Sequence, residues 1–264
     1  MSTLTSRQVG SRHGYFPAGA PLGEVHMIPG QKVAGFPVGV IYIPDVWYPM
    51  VPGNVVNGST FDFPVRLKPV EGLDIPTLFG ENRRDVFEEV LAACLELQRE
   101  GVRAISSGCG FFGQYQARIA AQMDIPVGLS PLIQIPWLRT ILPGRKIAII
   151  TADSSSLTDT LWEGCGVTDT SDLLIRGLQD EAQFSVVLEG RGTFDNDIVT
   201  EEVVSAAREL CADPEVGSVL FECSDLPPYA WAVQNACGMP VFDFTTLINW
   251  LRLGGARSPF GGWI

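Results

Sequence analysis

The chain has 264 residues, 46% of them hydrophobic and 18% charged, so it has the apolar material for a substantial core and is not a disordered chain. Its 18 lysines and arginines against 30 aspartates and glutamates leave a net charge of −12, which disfavours nucleic acid and anionic membrane surfaces as partners. Only two histidines occur, His13 and His26, so proton transfer in the body of the chain falls to Cys, Asp, Glu, Lys or Tyr.

Residues 1–36 hold both histidines and several Gly and Pro without a regular period, and read as an N-terminal arm. Residues 38–43 form a short, β-branched, apolar run, the pattern of a buried strand, which ends at Pro44 and Asp45. A loop rich in Pro, Gly and Asn covers residues 47–60, and a second strand is expected near residues 63–68. Asn82 is placed to cap a helix reaching about Glu100. Val86, Phe87, Val90, Leu91 and Cys94 recur at helical spacing, and Gly101 suits the stop. A buried strand at residues 102–106 leads into Ser107-Gly108-Cys109-Gly110, then a helix over about 113–123 and a short strand at 125–129.

The pattern then restarts. Residues 146–151 read as a buried strand ending at Ala152 and Asp153, and Ser154 to Ser156 could cap a short helix through Trp162. A long loop leads to a helix over about 197–211, with Val203, Val204, Ala207 and Leu210 on one face. Another strand at 216–221 runs into Glu222-Cys223-Ser224-Asp225, followed by a helix over about 228–236 and a last strand at 240–243. Strands alternating with helices predict an α/β fold with mostly parallel sheets flanked by helices. Each half has a strand ending in Asp and, 64 or 70 residues later, a strand ending in Cys: Asp45 to Cys109, and Asp153 to Cys223. This repeat predicts two pseudo-symmetric domains, residues 37–136 with 240–264 and residues 137–239. Ligands of such sheets bind beyond the C-terminal strand ends, which puts the site in the cleft between the domains.

The six cysteines form no C-x-x-C pair and are too sparse for a disulfide scaffold. No secretory apolar region and no run of about 18 apolar residues is visible, so a reduced cytoplasmic protein with free thiols is expected. Cys109 and Cys223 stand out: each follows a buried strand and precedes a helix, a setting that favours a thiolate. Cys94, Cys165, Cys211 and Cys237 read as packing residues. Asp45 and Asp153 are candidates for substrate contact or turn capping. Asn54 and Asn57 offer amide donors for a carboxylate. Glu222 and Asp225 flank Cys223, where a carboxylate would raise the thiol pKa. The fingerprints of phosphate and dinucleotide loops and the serine elbow are missing, and neither cofactor nor metal is indicated.

The segments Ser106-Ser-Gly-Cys-Gly-Phe-Phe112 and Leu220-Phe-Glu-Cys-Ser-Asp-Leu-Pro-Pro228 resemble the two cysteine motifs of the aspartate/glutamate racemase superfamily. The run from Pro52 to Arg66 resembles a largely uncharacterised branch of it. The resemblance spans roughly residues 35–251. It implies paired α/β domains with one cysteine on each face of a small carboxylate-bearing substrate: Cys109 and Cys223 would exchange the α-proton between thiolate and thiol, without cofactor or metal. Position then suggests Ser107, the amides of Gly110 and Phe111, and Ser224 as donors to the substrate. At these motifs amino-acid racemases typically carry Cys-Asn-Thr and Cys-Thr-His. Here they are Cys109-Gly-Phe111 and Cys223-Ser-Asp225, so the contacts that read an amino acid are largely replaced. The expected function is a cofactor-independent racemase or epimerase. Maleate-type isomerisation or decarboxylation by the same fold, and non-catalytic carboxylate binding, are the alternatives. A homo-oligomer is compatible with all three.

Overall fold

The structure, a computed structural model, describes residues 30–79 and 84–264. Both histidines, the N-terminal arm up to residue 29 and the proposed cap Asn82 lie outside the described residues. Four parallel strands form a first sheet: β1 (Val38–Tyr42), β2 (Val65–Pro69), β3 (Ala104–Ser107) and β4 (Val127–Gly128), in the order β2-β1-β3-β4. A second sheet repeats that order as β6-β5-β7-β8, with β5 (Lys146–Thr151), β6 (Leu173–Gly177), β7 (Val216–Phe221) and β8 (Val241–Phe242). Identical strand order in both halves is the predicted internal symmetry. The central strands β1, β3, β5 and β7 are almost wholly buried, as expected for parallel strands covered on both faces.

The helices are α1 (Ile75–Phe79), α2 (Phe87–Arg99), α3 (Gln116–Ala120), α4 (Ile135–Ile141), α5 (Asp159–Gly164), α6 (Val186–Glu189), α7 (Asn196–Cys211), α8 (Ala230–Cys237) and α9 (Phe244–Gly255). In α2 the apolar stripe Val90, Cys94 and Leu97 is buried on the first sheet. Gly39 of β1 makes that packing close, because a Cβ there would stand 2.8 Å from a Leu97 methyl. In α7, Asp195 accepts the N–H groups of Asp197 and Ile198 as N-cap, and Val199, Val203, Ala206 and Ala207 face the second sheet. Asp243 and Thr246 form a capping box for α9, which returns to pack Leu247, Ile248 and Leu251 on the first sheet.

Several expectations shift. Helix α2 begins at Phe87, where the Tyr115 hydroxyl accepts the Val86 N–H at 3.1 Å. The helix expected from Gly113 opens as a 3-10 turn over Gly110–Tyr115 and becomes α-helical at Gln116. Asp153, rather than the serines, caps the turn Ser154–Ser156, and Thr158 caps α5. Strand β8 pairs with β7, so residues 241–242, grouped by sequence with the first domain, belong to the second sheet; the return to the first half begins with α9. The loop before α7 contains β6 and α6. Both are short, and β6 is partly exposed, so neither carries a long apolar period. The two halves meet closely: a Cβ on Gly164 of α5 would stand 2.4 Å from the Gly113 carbonyl oxygen.

Candidate active site

The two central strands β3 and β7 end in matching geometry. Beyond β3 the Gly108 N–H donates to Ile41 O at 2.7 Å, and beyond β7 the Glu222 N–H donates to Ile150 O at 2.9 Å. Gly108 and Glu222 are therefore equivalent positions, and each is followed by a cysteine. Cys109 and Cys223, each 8% exposed, line one cavity of about 50 Å³. That is room for about four water-sized groups, a small substrate. Tyr42, Tyr48, Met50, Gly110, Phe111, Glu222, Ser224 and Asp225 share its wall. A wider mouth of about 550 Å³ opens outside it, between Asp45, Trp47, Asp74, Asp153 and Glu189.

Cys109 starts the 3-10 turn in extended conformation (φ −155°, ψ 116°). The amides of Phe111 and Phe112 donate to its sulfur, which favours thiolate. Burial and the nearby Glu222 act more strongly in the other direction and raise the thiol pKa. The Ser107 hydroxyl binds the Cys109 carbonyl oxygen at 2.8 Å and the Leu129 carbonyl oxygen, which fixes the strand end. Gly110 has no space for a side chain: its Cβ would lie 2.0 Å from Glu222 Oε1 and 2.3 Å from the Glu222 carbonyl oxygen.

Cys223 has a different neighbour. Its thiol lies 3.6 Å from Asp225 Oδ2, within donating distance for sulfur. Asp225 also accepts from the Tyr48 hydroxyl at 3.1 Å, from Asn54 Nδ2 and from the Ser224 hydroxyl at 3.4 Å. Burial raises the Asp225 pKa above the usual carboxylate range, and these four donors pull against it. Burial, then Asp225, then Glu222 hold the Cys223 thiol well above its usual value. Tyr48 is raised by burial and by Asp225, and so stays a neutral donor. The Ser224 hydroxyl also reaches the Gly108 carbonyl oxygen at 2.8 Å, linking the two cysteine loops.

Glu222 is fully buried. Its Oε2 accepts from the Thr151 hydroxyl at 2.7 Å, while Oε1 is buried with no hydrogen-bond partner. Burial pushes its pKa up to about 7, against the pull of Thr151.

Of the residues singled out by sequence, Cys109, Cys223, Gly110, Phe111, Ser224 and Asp225 come together on the cavity wall. Asn54 stands behind it, holding Asp225, with its Oδ1 accepting the Val56 N–H at 2.7 Å. Asn57 braces its own loop through Met50 O and Ser59. Ser107 is buried in the strand end, and Asp45 is exposed at the outer mouth. Tyr48, Thr151 and the carboxyl of Glu222 complete the cavity's polar network. In the sequence Glu222 is marked by its position beside Cys223 and Tyr48 by lying among the aromatics near the strand-end loops, whereas Thr151 leaves no signal. Among the described residues, no lysine, arginine or histidine lines the cavity, and no helix is long and apolar enough to cross a membrane.

No protein-family model matches the chain. It is 33% identical over 230 residues to a dimethylsulfoniopropionate lyase of Durusdinium sp. clade D, covering 84% of this chain and 76% of that protein. It is also 33% identical over 223 residues to dimethylsulfoniopropionate lyase 7 of Emiliania huxleyi (strain CCMP1516), covering 80% of this chain and 65% of that one. The chain thus spans slightly under two thirds of that second relative. Among solved structures, unliganded arylmalonate decarboxylase superposes with TM-score 0.53 at 17% identity, over 84% of this chain and 93% of that chain. A glutamate racemase isoform from Bacillus anthracis gives TM-score 0.51 at 16% identity, over 83% of each. At those identities the structural likeness concerns the fold.

Proposed function

Since the chain belongs to the family of the dimethylsulfoniopropionate lyases and has the two-sheet fold of the aspartate/glutamate racemase superfamily, we propose that this enzyme splits dimethylsulfoniopropionate into acrylate and dimethyl sulfide. Such a substrate carries a carboxylate, whose neighbouring C–H is the acidic one, and a trialkylsulfonium on the next carbon, which leaves as a neutral sulfide. The reaction needs one base. The Cys223 thiol passes its proton to Asp225, and the resulting thiolate takes the α-proton. The C–H electron pair becomes the new C=C bond, and the β-carbon–sulfur bond breaks with both electrons on sulfur. Cys223 ends as a thiol, and the net proton leaves through Asp225. No group changes oxidation state.

The observation that carries this reading is the asymmetry between the two cysteines. Cys223 has a buried carboxylate acceptor at 3.6 Å, itself gripped by Tyr48 and Asn54. Both sulfurs receive backbone amides, from Phe111 and Phe112 at Cys109 and from Asp225 at Cys223, so the difference lies in the carboxylate, and the residue before Cys109 is Gly108 where the other half has Glu222. A racemase must take and return a proton on opposite faces, which favours matched halves; an elimination uses one face. Tyr42, Tyr48 and Phe111, with the negative charge of Asp225, also suit a sulfonium. The racemase expected from sequence shares the first step, removal of a proton beside a carboxylate, and differs in the fate of the carbanion.

Headspace chromatography for dimethyl sulfide and NMR for acrylate test the proposal. Wild type should release both in equal amounts. Cys223→Ser should lose at least about 10³-fold in kcat/KM, and Cys109→Ser distinctly less. Racemisation of a chiral carboxylate without sulfide release would overturn the lyase reading. Equal losses in the two variants would overturn the single-base assignment.

A further inference from the structure

The elimination described above leaves Glu222 without a task, yet it is the most constrained polar group in the cavity. Its carboxyl reaches across from the second half to the first, and Oε1 occupies the space a side chain at position 110 would fill, one residue from Cys109. Thr151 satisfies Oε2, whereas Oε1 is buried and unpartnered, and Glu222 is one of the residues that line the substrate cavity. Its counterpart in the first half is Gly108, where an added Cβ would meet a Val56 methyl at 2.8 Å, so this device exists once.

We propose that Glu222 acts as a neutral carboxylic acid whose Oε1 hydroxyl donates a hydrogen bond to the substrate carboxylate. This rests on the lyase reading and names the group that recognises the acid end of the substrate. Three considerations carry it. A buried oxygen without a partner is unfavourable by itself and is satisfied when a ligand supplies the acceptor. The cavity wall holds Asp225 and, among the described residues, no cationic side chain. A carboxylate entering between two ionised carboxylates would be repelled, and a protonated Glu222 turns that repulsion into a charge-assisted contact. Finally, removal of the α-proton moves negative charge onto the substrate carboxylate, where a fixed donor in a dry site gains strength. Holding a carboxylic acid neutral for this use is a known device of apolar sites. The titratable groups around Glu222 are Asp153 beyond β5, Cys109 beyond β3, Cys165 after α5, and Cys223 and Asp225 in its own loop. None is cationic, so none would favour ionisation of Glu222. The proton stays on Glu222 throughout turnover.

Propionate, which has the acid end and no leaving group, is the probe. Calorimetric titration at pH 8 in buffers of different ionisation enthalpy should show wild type taking up close to one proton, about 0.9, per propionate bound. Its affinity should fall about tenfold per pH unit above pH 7. Glu222→Gln keeps a donor, and should bind propionate without proton uptake and without that pH dependence. In turnover, Glu222→Ala should lose about 10²-fold in kcat/KM, while Glu222→Gln stays within about tenfold of wild type and loses the alkaline decline. Absence of proton uptake, failure of wild type to bind propionate, or a Gln variant as poor as the Ala variant would each overturn the inference. Proton uptake without sulfide release from dimethylsulfoniopropionate would leave it standing and sink the lyase reading; sulfide release without proton uptake would do the reverse.

Discussion

Replacing Asp225 by Asn separates proton acceptance from packing. The carboxylate accepts from Tyr48, Asn54, Ser224 and the Cys223 thiol. In Asp225→Asn the Oδ1 still accepts from Asn54. The new Nδ2 replaces Oδ2, and the Tyr48 and Ser224 hydroxyls can rotate to accept from it. The Cys223 thiol and the Tyr48 hydroxyl proton are deprived of their acceptor, while Ser224 keeps the Gly108 carbonyl oxygen. With one weak sulfur hydrogen bond broken, one hydroxyl bond reversed and a charge removed, stability should stay within about 2 kcal/mol of wild type. Activity should not. In wild type the singly protonated Cys223–Asp225 pair holds the reactive form as a fixed fraction, so once Asp225 has titrated this step no longer depends on pH. In the variant the thiolate must form by loss of its proton to solvent, from a thiol still raised by burial but relieved of the further rise that the Asp225 charge gives it. The ratio of variant to wild-type kcat/KM should therefore climb about tenfold per pH unit wherever Asp225 is ionised in wild type. Taking the ratio cancels the titration of Glu222, which both proteins share. The assay is initial-rate sulfide release across pH 6 to 9, with thermal melting as the stability control. A ratio flat with pH across that range would refute Asp225 as the acceptor.

Gly110→Ala should lower stability by about 1–3 kcal/mol and suppress activity, because its Cβ would lie 2.3 Å from the Glu222 backbone oxygen, which cannot swing aside. Gly58→Ala, with nothing within 4 Å of the added carbon, should melt close to wild type and serves as the control in the same thermal scan. Glu222 should also write a signature on stability. Its pKa is about 7 when folded against an ordinary 4.5, so the unfolded chain gives up the proton first. Its contribution is whole below about pH 4.5, declines by about 3 kcal/mol as pH rises to about 7, and is flat above. Denaturant titrations should show that slope reduced in Glu222→Gln, and an unchanged slope would mean that Glu222 is ionised in the folded protein at lower pH.

The strands were legible because a parallel strand covered on both faces must be apolar at nearly every residue. The expected bounds of β5 and β7, residues 146–151 and 216–221, are those observed. The two cavity cysteines were legible for a related reason: each stands just past such a strand, and strand ends are where this class of sheet exposes its residues. Helix α9 also left a signal, with Asp243 as cap and apolar residues at 244, 247, 248 and 251, although it was not among the expected elements. Short segments such as α1, α6 and β6 left little, because four or five residues do not establish a period.

The sequence alone therefore determined the α/β class, the repeat and which two of the six cysteines meet at one cavity, since each is written in local runs of apolar residues and the glycines beside them. The tertiary structure decided how the site is wired. Asp225 meets Tyr48 across 177 residues of chain, and Glu222 meets Thr151 across 71. Whether a carboxyl is an acceptor for a thiol or a neutral donor for a substrate depends on burial and on partners brought from the other end of the chain, and no local spacing carries that information.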